Sequence, residues 1–159
     1  MNIIKTLIIN LLFYLITFSN LWSFNVESMI SKAFKDSLSI NDLSLIKNYT
    51  PTNPDSFFLD ALIEFNGDSA SKKYQKFYSK YPQHKHADYA VYEVGCYYYS
   101  KGYYVNSSSW FKKIPIHYHK SKLMEKSIQM FFNSMLVSGF ADSLSYYGNI
   151  FSKLYPNLD

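Results

Sequence analysis

The stretch YQKFYSKYPQHKHADYAVYEVGCYYYSKGYY, Tyr74 to Tyr104, decides the fold. One phrase ends at Tyr81-Pro82, a polar turn follows, and a second phrase runs to the break at Lys101-Gly102. The ending KFYSKYP returns later as IFSKLYP, so Tyr81-Pro82 and Tyr155-Pro156 stand 74 residues apart. Midway between them, 37 residues from each, lies Tyr118-His119. Tyr74, Phe111 and Gly148 keep this register, as do Phe77, Ile114 and Phe151, and also Gly102 and Gly139. A fixed period of this length is the mark of stacked helical units. Three units of about 37 residues, set by that register, cover residues 51–159.

Each unit reads as two helices. In the middle unit, Asp88 to Lys101 carries Val91, Val94 and Tyr98 at three-to-four spacing, the period of one helix face. Gly102 breaks it as a C-terminal cap would. The second helix, Tyr103 to Tyr118, resumes the apolar pattern with Trp110, Phe111 and Ile114. The third unit pairs Leu123–Val137 with Phe140–Tyr155 around Ser138-Gly139. The first pairs a helix opened by Asn53-Pro54-Asp55 and ending at Phe65 with Ser69–Tyr81, around Asn66-Gly67-Asp68. Ahead of these, residues 24–50 read as one further hairpin, Asn25–Leu38 and Ile40–Tyr49. Strand patterns are absent, so the expected fold class is all-α.

Residues 1–23 differ from the rest. Lys5 precedes an uncharged run, Leu7 to Phe18, and polar Ser19 and Asn20 follow. This is the layout of a secretory signal, with cleavage expected near residue 19 or 23. The run is short for a membrane span, which takes about 20 apolar residues, although an uncleaved anchor stays open. The single cysteine, Cys96, excludes an internal disulfide, and no lipobox cysteine follows the signal. Cys96 lies among apolar and aromatic residues and reads as a small buried side chain. The expected location is therefore the periplasm. Net charge is +4, all from scattered lysines, and there is no arginine. Without the guanidinium fork, phosphate and nucleic-acid recognition is disfavoured.

The chain resembles a tetratricopeptide repeat array. With Gly95 as the glycine of the first helix, Val91, Val94 and Tyr98 take that helix's packing sites. Ser107 takes the alanine site and Phe111 the aromatic site of the second helix. One period earlier, Ala70, Tyr74 and Pro82 fit. One period later, Ile128, Phe131, Met135 and Pro156 fit, while Phe132 replaces the glycine and Gly148 replaces the aromatic. The usual period is about 34 residues, and His119 stands where a proline is expected. The phrasing is similar to repeats of the D lipoprotein of the outer-membrane β-barrel assembly complex. It is also similar to the C-terminal domain of the periplasmic Tol-Pal-associated cell-division coordinator. The resemblance implies a right-handed superhelical array of helix-turn-helix repeats whose concave groove binds an envelope protein or peptide. The chain lacks the lipobox of the first family and the leading coiled coil of the second, so neither specific identity carries over.

In that family a second stripe of the first helix lines the groove, which here implies Tyr89, Tyr92, Cys96 and Tyr99. One period on, Lys126, Gln129 and Asn133 match Tyr89, Tyr92 and Cys96. The expected site is thus Tyr89, Tyr92 and Tyr99 beside Lys126, Gln129 and Asn133. The alternative is that the tyrosines only pack against the preceding repeat. His84-x-His86 and His117-x-His119 form two pairs in the turns between units, weak candidates for a metal site; the simpler reading is surface histidines. No phosphate loop, no HExxH and no convergent acid, base and nucleophile occur, so neither enzymatic activity nor a cofactor is expected. Two functions stay open: a protein-interaction scaffold of the cell envelope, in outer-membrane assembly or envelope maintenance, and a glycan- or peptidoglycan-binding module using exposed tyrosines. Contact with a membrane would come through a partner or an uncleaved N-terminus.

Overall fold

The computed structural model describes residues 24–156, and the expected signal segment lies outside them. Among the described residues all regular structure is helical. They fall into two compact units, the first ending at Tyr49 and the second starting at Thr50.

The first unit holds α1 (Val26–Phe34) and α2 (Ile40–Lys47). Asn25 caps α1 by accepting the Ser28 N–H at 3.0 Å. Ser39 opens α2 with a reciprocal capping box: its hydroxyl accepts the Asp42 N–H at 3.1 Å and its own N–H donates to the Asp42 carboxylate at 2.9 Å. Two orphan donors are satisfied at once. Lys32 Nζ, from α1, sits 2.9 Å from the same carboxylate and ties the two helices. Asp36 takes the left-handed conformation (φ 50°) between them, where the Ser37 N–H closes back on the Lys32 carbonyl.

The second unit holds α3 (Pro54–Leu62), α4 (Gly67–Lys80), α5 (Ala87–Ser100), α6 (Tyr104–Phe111), α7 (Lys113–His117), α8 (Met124–Val137) and α9 (Ala141–Leu154). Helices pack in chain order: α3 on α4, α4 on α5, α5 on α6 and α6 on α8, with a sparser contact between α8 and α9. The architecture is an all-α, helical repeat-like fold.

The 37-residue register is visible in the backbone itself. Tyr81, Tyr118 and Tyr155 cap α4, α7 and α9 with nearly the same dihedrals: φ −134°, ψ 57°, then −128°, 61°, then −135°, 67°. Each N–H donates to the carbonyl four residues back at 2.8 Å. The tyrosine hydroxyls of the last two reach across the seam, Tyr118 to the Pro82 carbonyl at 2.7 Å and Tyr155 to the Pro115 carbonyl at 2.5 Å. Gly102 (φ 77°) and Gly139 (φ 82°) close α5 and α8 in one motif. The Tyr103 N–H donates to Tyr98 and the Phe140 N–H to Met135, at 2.9 and 3.0 Å. This is the left-handed C-terminal turn that glycine adopts without penalty.

Phe58, Phe77, Phe111 and Phe131 are fully buried along the unit, each burial contributing about 1.5–3 kcal/mol. Two differences from the sequence reading have clear causes. The helix expected over Tyr103–Tyr118 is divided at Lys112, because Pro115 has no N–H to give the Phe111 carbonyl and its ring crowds that oxygen. The first helix, expected to reach Phe65, ends at Leu62, and Gly67, expected in the turn, opens α4, so this turn has no glycine at the register position of Gly102 and Gly139. Phe65 stands at that register position and is 90% exposed, and Asn66 caps α4 by accepting the Ser69 N–H at 3.0 Å.

Candidate functional site

The three consecutive tyrosines of α5 go three ways, as neighbours about 100° apart on a helix must. Tyr97 donates its hydroxyl to Asp68 at 2.9 Å, with Lys101 above its ring. Tyr98 packs against Tyr97 and Tyr103, and Gln75 donates to its hydroxyl at 3.4 Å. Tyr99 meets Tyr104 edge-on at 5.2 Å.

The other two tyrosines expected at the site face opposite neighbours. Tyr89 lies against Phe58 at 5.8 Å and Tyr74 at 6.3 Å, on the preceding hairpin. Tyr92 stands edge-on to Phe111 at 5.4 Å and packs on the cluster of Phe111, Phe131, Met135 and Phe151. Burial pushes the Tyr92 hydroxyl up to about 12. It also pushes the neighbouring Cys96 thiol up to about 11, with the Glu93 carboxylate adding to the rise. Cys96 is therefore a protonated thiol at neutral pH, and the reactive species of a cysteine is the thiolate.

Lys126, Gln129 and Asn133 are exposed on α8. Gln129 and Asn133, one turn apart, line a cavity of about 400 Å³ between α8 and α9; Lys126 and the three tyrosines are not in its walls. Its apolar floor is Ile128, Phe132, Phe151 and Tyr155, and Glu125 and Ser152 join the two amides at the rim. The volume lies in the range of ordinary ligand pockets.

Gly148 lies in the wall of this opening, where α8 and α9 pack sparsely. In the preceding hairpins its register position holds Tyr74, 5% exposed, and Phe111, 0% exposed. Around Phe111 the fit is tight: a Cβ on Gly95 would lie 2.7 Å from the Phe111 ring. At the matching pair of the last hairpin the large and small residues are exchanged, Phe132 for Gly95 and Gly148 for Phe111. The exchange does not refill the space. Phe132 turns to Phe131 and Phe151, at 5.3 and 5.9 Å, and a Cβ on Gly148 would meet nothing within 4 Å. The sequence signal for this cavity was the glycine at the aromatic site. Glu125, Ile128, Phe132, Phe151, Ser152 and Tyr155 were not foreseen as its lining.

The histidines are brought part of the way together. His84, His117 and His119 line one shallow hollow, shared with Lys85, Asp88 and Lys120. His86 stacks on Phe58 at 4.4 Å. Burial lowers the pKa of His84 and of His86, opposed in part by Asp55. His84 Nε2 lies 3.4 Å from Asp55 Oδ1, and His119 Nδ1 is 2.9 Å from the Tyr155 hydroxyl. Among the described residues no three histidine, cysteine or acidic side chains converge as a metal-ligand set.

No family model and no curated protein matches the chain. Among the described residues no helix is long and apolar enough to cross a membrane. The chemistry the cavity offers is burial of an apolar group beneath two amides, a hydroxyl and a carboxylate.

Proposed function

We propose that the chain is a non-enzymatic protein-interaction scaffold of the bacterial periplasm, built as a right-handed tetratricopeptide-like array and delivered by a cleaved signal at residues 1–23. It binds a peptide or helical segment of an envelope protein, in outer-membrane assembly or envelope maintenance. The observation that carries this reading is the cavity between α8 and α9, where an apolar floor lies under Gln129 and Asn133. An apolar anchor buried beneath hydrogen-bonding groups is the usual layout of a peptide site. Both amides can donate to and accept from a peptide backbone. Tyr92 packs on the cluster that contains Phe151, one of the cavity's lining residues. Tyr89 and Tyr99 extend the aromatic face of α5 toward the earlier hairpin and toward Tyr104.

The test is a random-peptide display selection on the purified chain, with each enriched peptide remeasured on Asn133→Trp. Asn133 is exposed, so the bulky ring covers the cavity mouth without entering the core. Enriched peptides should bind the variant roughly tenfold or more weakly, the loss of a hot-spot contact. Peptides that bind the variant equally well would refute the reading, and so would a selection that enriches none.

A further inference from the structure

We propose that the cavity between α8 and α9 is a socket for a single aromatic side chain, on a partner segment that carries a basic residue next to that ring. This rests on the peptide-binding reading above and names its ligand. The molecule supplies the template. Three hairpins share one register, and the position filled by Tyr74 and then by Phe111 is Gly148 in the third. The first two rings are buried, whereas a Cβ on Gly148 would meet nothing within 4 Å, and Gly148 itself lines the cavity. A ring arriving from outside meets Phe132, Phe151 and Tyr155, the edge and face partners that aromatic side chains favour.

Charge sets the second half of the proposal. Among the described residues, Glu125 is the one charged residue in the cavity walls. It makes no ion pair among the described residues, and Lys126, its neighbour in sequence, is outside the walls. A carboxylate at the rim of an apolar socket favours a cation beside the inserted ring and opposes an acid there. The occupant is therefore an aromatic-basic peptide segment. An acidic or purely aliphatic one fits less well.

The experiment is an amide-resolved NMR titration of the full chain with three capped tripeptide amides: lysine-phenylalanine-lysine, lysine-alanine-lysine and glutamate-phenylalanine-glutamate. The first should shift the amides of Gln129, Phe132 and Gly148. The second should bind roughly tenfold or more weakly, and the third a few-fold more weakly than the first, in line with one exposed charge pair. Glu125→Gln should erase the difference between the first and third peptides. Gly148→Phe, with Gly148→Leu as the smaller filler should the first not fold, should abolish the shifts by occupying the socket. Equal binding of the alanine peptide at these amides would overturn the aromatic socket while leaving the scaffold reading intact. Undiminished binding to a folded filled variant would overturn it as well. If none of the tripeptides moves these amides while display-selected peptides still bind in a way Asn133→Trp blocks, the socket falls and the scaffold reading stands. If both experiments are blank, both fall.

Discussion

Two glycines in mid-helix have opposite reasons to be there. Gly95 is required by contact: a Cβ would sit 2.7 Å from the Phe111 ring, which is itself fully buried. Gly95→Ala should destabilise the fold by about 1–3 kcal/mol, the usual cost of overpacking a filled core. Gly148 is not required by contact, since nothing lies within 4 Å of its would-be Cβ and its φ is not positive. Gly148→Ala should stabilise by about 0.5–1 kcal/mol through helix propensity alone. Paired urea or thermal melts read both. A neutral Gly95→Ala would show that Phe111 does not pack as described, and a destabilised Gly148→Ala would show that the cavity is filled in the folded chain.

At the scale of elements, caps and breaks were the most legible features and packing partners the least. Gly102 and Gly139 announced the ends of α5 and α8 because a left-handed turn selects glycine. Pro115 divides α6 from α7, a break hidden by the apolar spacing of Trp110, Phe111 and Ile114 across it. The tyrosines show the limit differently. Helical periodicity groups Tyr89, Tyr92 and Tyr99 on one stripe, but it does not say which neighbouring hairpin each ring meets. Tyr89 turns to Phe58 and Tyr92 to Phe111.

The α2 cap yields a prediction of its own. Lys32, then the Ser39 N–H and hydroxyl, hold the Asp42 carboxyl down to about 2. A depressed carboxyl contributes stability that is fully present above its unfolded value and is lost as pH falls through the folded one. The N-terminal hairpin should therefore loosen between about pH 4 and pH 2, bounded by the usual aspartate value and the lowered one. Carboxyl-carbon NMR should place the Asp42 midpoint at about 2 in the native chain and higher in Ser39→Ala. A native midpoint in the ordinary aspartate range would show that the cap and the Lys32 pair do not form.

For the molecule as a whole, one repeated plan fills its aromatic site twice and leaves it open once. A repeat array is stable through contacts between neighbouring units, so a vacated position weakens one hairpin without unfolding the rest. That is how such a fold can hold a binding site at little cost to its core. The glycine at residue 148 was readable as a departure from the pattern. The cavity was not, because Phe132 could equally have turned to fill the space.

The direct measurement follows from that account: melting temperature and retention of the phenylalanine tripeptide, taken together on Gly148→Phe. Filling the socket from within should raise stability by about 0.5–2 kcal/mol, as cavity-filling changes commonly do, while binding is lost. A variant that melts earlier than the native chain and still retains the peptide would contradict it.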